Sequence, residues 1–298
     1  MLVPGLNRPS FLRPDRQVFK PPVRFGAISC DHLRSITIHF KNKHMKFLSL
    51  EGKVAVITGS SRGIGRSIAE HLAAAGAKVV ISSRKAEACE KVAGSIKSNG
   101  GEAISVPANI GDKAQLEKLV AATREKWGRI DILVCNAASN PYYGPMADMP
   151  DEAFDKILHN NIVSNHWLAG MVLPEMAKRK DGAVIIVSSI GGLKGTSVLG
   201  AYAISKAADM QLARNLAMEW GPHNVRINCI APGLIKTDFA RALWENEELR
   251  HRYETQTPLR RIGEPDDIGG IAVFLASRAG AFVTGQTIVA DGGVTISG

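Results

Sequence analysis

No apolar run in the 298 residues approaches the roughly 18 to 20 that a membrane-spanning helix needs, so a membrane role is not expected. Cysteine is scarce: Cys30, Cys89, Cys135 and Cys229 stand far apart and form no C-x-x-C pair for zinc or thiol exchange. No metal site is therefore expected, and reduced thiols in a cytoplasmic setting fit this usage. Acid is missing at one end only. Residues 1–46 hold nine Lys and Arg against Asp15 and Asp31, so they carry +7 of the formal +9. The rest is nearly balanced, which argues against the broad basic face of a nucleic-acid-binding protein.

That first segment also lacks any helical or strand period that would bury a face, and it carries Pro4, Pro9, Pro14, Pro21 and Pro22. Disorder or loose packing is expected there. No continuous apolar stretch makes it a secretory signal; its Arg-rich composition fits an organellar transit peptide in part, although the prolines oppose the amphipathic helix of such peptides. A second reading, that the native chain begins at Met45, stands beside it.

From Lys53 onward, short apolar runs alternate with longer helical patterns, the signature of βαβ units and a parallel sheet. Val54-Ala55-Val56-Ile57 is the first strand, and 78–82, 103–107, 132–135, 183–188, 226–230 and 287–290 follow. Each is too continuously apolar to be exposed on one face. Helices are expected over 64–75, 114–127, 151–176, 201–220 and 265–277, with apolar residues at three-to-four spacing. Connections are short and no linker divides the region. Residues 47–298 thus read as one Rossmann-type, doubly wound α/β domain, a seven-stranded parallel sheet with helices on both faces.

Directly after the first strand comes Thr58-Gly59-Ser60-Ser61-Arg62-Gly63-Ile64-Gly65, a glycine-rich turn opening a helix. Free backbone N–H groups at a positive helix end suit a pyrophosphate, and a Cβ would obstruct both the turn and the approach of the phosphates. The spacing G-x-x-x-G-x-G departs from G-x-G-x-x-G, and it is not a P-loop, because Arg66 stands where Lys is required. A purely structural turn is the alternative. The second strand ends without the carboxylate that would hold a ribose 2′-hydroxyl and repel a 2′-phosphate; it runs instead into Ser82-Ser83-Arg84. Arg62 and Arg84 are placed to clamp a 2′-phosphate, or are ordinary solvated arginines. The first reading favours NADP(H) over NAD(H).

In Ala201-Tyr202-Ala203-Ile204-Ser205-Lys206, a helical pattern sets Tyr202 and Lys206 on one face. A nearby ammonium stabilises phenolate relative to phenol and draws the tyrosine toward working pH, as a general acid/base needs. Such a pair is common by chance; the combination is not. The glycine turn, this Tyr-x-x-x-Lys and Ser189 thirteen residues before the tyrosine together resemble the short-chain dehydrogenase/reductase family, over essentially all of residues 50–293. Asn136-Ala137-Ala138, Asn161, and Pro232-Gly233 followed by Thr237 fall in the family's order.

The resemblance implies an oxidoreductase that moves a hydride between NADP(H) and a carbonyl/alcohol pair. Tyr202 would exchange the proton, Lys206 would assist it and bind the nicotinamide ribose, Ser189 would orient the substrate oxygen, and Asn161 would hold a relay water. Gly59, Ser61, Arg62, Gly63, Ile64, Gly65, Ser83, Arg84, Asn109, Ile110, Asn136, Ala137, Ala138, Pro232, Gly233, Ile235 and Thr237 would line the cofactor with Tyr202 and Lys206. Two departures from the family pattern touch that cradle: Ala138 replaces a usual glycine, and Asn109 replaces a usual Asp.

The loop carrying Asn140, Tyr142 and Tyr143, and the segment 239–253 with Trp244, should border the substrate. Their aromatics suggest a medium-sized apolar or aromatic carbonyl compound, unless they merely pack the loops. The stretches 136–141 and 231–237, with Leu243-Trp244, look like the NADPH-dependent carbonyl/retinal reductase branch. Two rivals remain: a 3-oxoacyl-carrier-protein reductase, holding its acidic carrier through Lys178, Arg179 and Lys180, and a redox sensor that binds NADP(H) without turnover. A homotetramer, with 151–176 and 201–220 packed on symmetry mates, is implied by the same resemblance.

Overall fold

The computed structural model describes residues 47–297, so the expectations for 1–46 lie outside the described residues. Seven parallel strands, β1 (Val54–Thr58), β2 (Lys78–Ser82), β3 (Glu102–Ser105), β4 (Ile132–Cys135), β5 (Gly182–Val187), β6 (Val225–Pro232) and β7 (Thr287–Ala290), form one sheet in the order β3-β2-β1-β4-β5-β6-β7. β1, β4 and β5 are buried at every residue, which is why their apolar runs do not alternate.

The helices divide between the two faces. Around Ala55, Ile57, Val79 and Ile81 pack residues of α1 (Gly63–Ala74), α2 (Ala86–Ser98) and α9 (Asp266–Ala276). Around Val56, Val80, Leu133 and Ile186 pack residues of α3 (Lys113–Trp127), α5 (Ser164–Arg179) and α6 (Gly200–Trp220). Each fully buried Leu, Ile or Val contributes about 1.5–3 kcal/mol. Between β1 and β4 the strand order reverses direction, and ligands of such sheets bind outside the strand C-termini at that switch point.

Several boundaries differ from the sequence reading. The third strand is Glu102–Ser105 rather than 103–107, the fifth begins at Gly182, and the sixth extends to Pro232. The expected single helix over 151–176 is interrupted: α4 (Asp151–Leu158) passes through a π-helical turn, His159–Val163, into α5. Such a turn takes an extra residue into the helix, and it holds Asn161, buried. α2 was not anticipated, because its buried face is made of Cys89, Val92, Ala93 and Ile96, three of them small. In the segment 239–253, the short α7 (Arg241–Trp244) is followed by α8 (Glu247–Gln256), a largely solvated helix started by the Asn246 side chain accepting from Leu249 N–H.

One buried carboxylate ties the sheet together. Asp131, just before β4, accepts from the Val54 backbone N–H at 2.9 Å and from the Arg129 guanidinium, with Arg179 within 3.8 Å. Arg179 also donates to the Ile130 carbonyl and pairs with Glu175. It is therefore part of the internal network rather than of a basic surface run.

Candidate active site

The glycine turn fits a dinucleotide pyrophosphate. Gly59 and Gly63 have φ of +66° and +56°, which L side chains adopt at a cost. A Cβ at Gly65 would lie 2.4 Å from Asn136 Nδ2 and 2.5 Å from the Gly59 carbonyl oxygen. α1 begins without a side-chain cap and without an acid in its first turn, leaving its N–H groups and positive end open to an anion. The cradle is held by β4: Asn136 Nδ2 donates to the Thr58 and Gly59 carbonyls, while Asn136 and Ala137 N–H donate to Thr58 Oγ1. Asn136 thus shapes the turn from below.

Residues after β6 roof the same turn. Thr237 Cγ2 lies 3.1 Å from the point a Gly63 Cβ would occupy, and Arg62 bonds Asp238 at 3.2 Å. Arg62 and Arg84 are both exposed, and Ser83 Oγ lies 3.1 Å from Cys89 Sγ. Asn109 is turned onto its own loop, its Oδ1 accepting from Gly111 N–H and its N–H donating to Gln115.

Across the switch point, Ser189 follows the buried end of β5 and caps a 3-10 turn, Ile190–Gly192, accepting from Gly191 N–H at 3.0 Å. A Cβ on Gly191 would sit 3.4 Å from Ser189 Oγ and 3.9 Å from Tyr202 Cε1, so hydroxyl and ring flank the same point. The turn lies tight on α6, since a Cβ on Gly192 would be 2.6 Å from the Ala207 nitrogen. Lys206 runs beneath Tyr202, its Nζ 5.7 Å from the ring centroid and its side chain 3% exposed.

Asn161, at 0% exposure, has its side chain fully engaged: Oδ1 accepts from Ser139 N–H, and Nδ2 donates to the Ser139 carbonyl and Ser205 Oγ. Only its main-chain carbonyl faces further partners, and Asn165 Nδ2 donates to it at 2.6 Å. Lys206 Nζ donates to the Val187 carbonyl and to Asp209 Oδ2, both at 2.9 Å. Burial opposes the ammonium, but the Asp209 carboxylate, with Tyr202, holds it above the usual lysine range.

The residues expected on the substrate side lie in different surroundings. Phe239, which the sequence reading named only as the start of a segment, is the aromatic set against Tyr202, with centroids 6.0 Å apart. Trp244 instead donates from Nε1 to the Thr237 carbonyl and lies under Lys236. Tyr142 bonds the Pro145 carbonyl within its own loop, and Tyr143 is exposed. Asn140 Oδ1 is buried and unpartnered among the described residues. A largely apolar cleft of about 500 Å³ is lined by Leu234, Tyr253, Leu259 and Val294 and by Ile190, the residue after Ser189; Ser189, Tyr202 and Phe239 themselves do not line it. Its walls come from Ile190 and three later stretches, 234–235, 253–267 and 289–294, of which the sequence reading places only Tyr253 on the substrate side.

A doubly wound sheet with a glycine turn at its switch point, faced by Ser, Tyr and Lys, defines a dinucleotide-dependent oxidoreductase. The chain belongs to the short-chain dehydrogenase/reductase family, whose members bind NAD(P): the family described as enoyl-(acyl carrier protein) reductase matches residues 59–295. Dehydrogenase/reductase SDR family member 4 of Sus scrofa is 42% identical over 244 residues, covering 82% of this chain and 88% of that protein. The Homo sapiens protein of that name is 41% identical with the same coverage. Among solved structures, a gluconate 5-dehydrogenase from Burkholderia cenocepacia in complex with NADP and tartrate superposes with TM-score 0.81 at 31% identity, over 85% of this chain and 98% of that one. A 7α-hydroxysteroid dehydrogenase complexed with NADH and a 7-oxo bile acid gives 0.80 at 38% identity, over 83% and 96%.

Proposed function

We propose that this protein is an NADP(H)-dependent carbonyl reductase or alcohol dehydrogenase working through Ser189, Tyr202 and Lys206, with Asn161 in support. The observation that carries it is that the Ser189 hydroxyl and the Tyr202 ring flank one point of the Ile190–Gly192 turn, with the buried Lys206 ammonium 5.7 Å from that ring. The nicotinamide, when bound, supplies the hydride. In reduction, Tyr202 gives its phenolic proton to the substrate oxygen while Ser189 donates a hydrogen bond to the same atom. The Lys206 ammonium favours the phenolate left behind and would hold a ribose hydroxyl of the bound cofactor. Reprotonation runs past the Asn161 main-chain carbonyl, whose second lone pair accepts a relay water. Oxidation is the reverse.

The 2′-phosphate preference rests on Arg62 and Arg84. On exposed side chains, screened by solvent, the two charge-assisted bonds together contribute about 1.5–3 kcal/mol. The double variant Arg62→Ala/Arg84→Ala should weaken NADPH binding by roughly ten- to a hundredfold and leave NADH nearly unchanged. Fluorescence titration with both dinucleotides decides it; equal losses would count against the clamp.

For substrate, the Phe239 ring set against Tyr202 and likeness to SDR family member 4 support a medium-sized apolar ketone or aldehyde, as expected of the carbonyl/retinal reductase branch. The inward commitment of Arg179 weighs against an acidic carrier protein as partner. An NADPH-oxidation screen of aryl and alkyl ketones beside a 3-oxoacyl-carrier thioester tests this, with turnover of the free ketones expected. Preferential turnover of the thioester would favour the carrier reading, and none on any carbonyl the sensor reading. The buried, unpaired state of Cys89, Cys135 and Cys229 supports a reducing, cytoplasmic location, and a homotetramer built on α4 to α6 belongs to the same proposal.

A further inference from the structure

Directly behind the catalytic lysine lies an acid that the mechanism above does not use. Asp209 stands three residues after Lys206 on α6 and is fully buried, as is the lysine apart from 3% of its side chain. Its Oδ2 takes the Lys206 ammonium at 2.9 Å, and its Oδ1 takes Asn165 Nδ2 at 3.0 Å. The same Asn165 amide donates to the Asn161 main-chain carbonyl. A chain of polar contacts thus connects the lysine, the acid and the π-turn that holds Asn161.

We propose that Asp209 is a positioning residue that acts as the buried counter-ion of Lys206, keeping it an ammonium and fixing where its Nζ sits relative to Tyr202. The proposal rests on the reading of Tyr202 and Lys206 as a working pair.

Two ions this deep are costly to bury, and a lone one is costlier still. Without the carboxylate, the ammonium would keep only the Val187 carbonyl and would face desolvation uncompensated. Burial, opposed by the Lys206 charge, pushes the Asp209 carboxyl above the usual carboxylate range. The other titratable groups facing the pair are Tyr202 on α6, Cys135 on β4 and Cys229 on β6, whose Sγ bonds the Asp209 carbonyl. Burial, then the Asp209 charge, holds both thiols well up, so neither offers a substitute anion; Arg214 approaches only Cys229. Asn161 and Asn165, from the helix opposite, carry no charge.

The sign follows. With Asp209 present, Lys206 stays protonated past the range of ordinary lysines. With Asn in its place, burial alone governs and the lysine loses its proton as pH rises through the working range. Asp209→Asn should therefore keep most of its reductase turnover near pH 6.5, and lose at least about tenfold more than wild type by pH 9. Asp209→Glu, which retains an anion, should follow the wild-type profile in shape. NADPH affinity, read by fluorescence, separates this from a damaged cradle and should stay within about threefold at pH 6.5. Parallel pH profiles for wild type and Asp209→Asn would overturn the proposal.

If the Asn variant does not fold, the wild-type chain still decides. In ¹⁵N-lysine-labelled protein, with the Lys206 signal identified by its loss in Lys206→Arg, Lys206 should remain protonated after the exposed lysines have titrated. Titration with or before them would overturn the proposal. This readout needs no turnover, so a chain inactive on every carbonyl would contradict the proposed function and leave the ion pair standing.

Discussion

Tyr202→Phe is expected to lower turnover by roughly 10² to 10⁴-fold, the range that a positioned general acid contributes. The change removes one oxygen from a ring that stays packed against Phe239 and over Lys206. Stability should therefore shift little, and NADPH should bind within about threefold of wild type. The loss should appear in kcat and kcat/KM alike, because proton transfer belongs to the transition state. A variant keeping more than about a tenth of wild-type turnover would mean that another group supplies the proton. Ser189 is a poor substitute, since a neutral alcohol is a much weaker acid than a phenol beside an ammonium.

The second large effect is expected at Gly65. Its backbone is unstrained, so space alone forbids a side chain: a Cβ would meet Asn136 Nδ2 at 2.4 Å and the Gly59 carbonyl at 2.5 Å. The carbonyl is backbone and cannot swing aside. Gly65→Ala should destabilise the fold by about 1–3 kcal/mol, as overpacking does. It should also push the Gly59 turn away from β4 and weaken NADPH binding by more than about tenfold. Gly94→Ala on α2 is the control, because nothing lies within 4 Å of its Cβ position and a helical glycine costs about 0.5–1 kcal/mol relative to alanine. Urea melts and cofactor titration of both variants check the pair. Equal stability and affinity in the two would contradict the close packing of the turn.

Those two sites were legible from composition and spacing, since a strand buried on both faces, a glycine-rich turn and a Tyr/Lys pair on one helical face each leave a local pattern. The sheet was read almost to its boundaries for the same reason. What escaped has a weak local pattern or none. α2 buries an Ala, a Cys and a Val where larger residues would have marked a face. The π-turn His159–Val163 inserts no breaker, so the helix over 151–176 read as continuous. Arg179 sat in a basic triplet and read as surface, yet Asp131, some fifty positions away, draws it inward. Asp209 looks like a solvated helix acid until α5, β4 and β6 are folded over it. Phe239 reaches Tyr202 only because the segment after β6 folds back across the glycine turn. For Arg179, Asp209 and Phe239 the deciding contact is long-range, and periodicity along the chain carries no trace of it.

The most direct test follows the hydride itself. With NADPH deuterated at the transferable C4 position and an apolar ketone that the protein turns over, the account predicts deuterium on the carbinol carbon of the alcohol, one per NADPH oxidised, and none in the solvent. An alcohol carrying no deuterium, or NADPH consumed without alcohol formed, would contradict it.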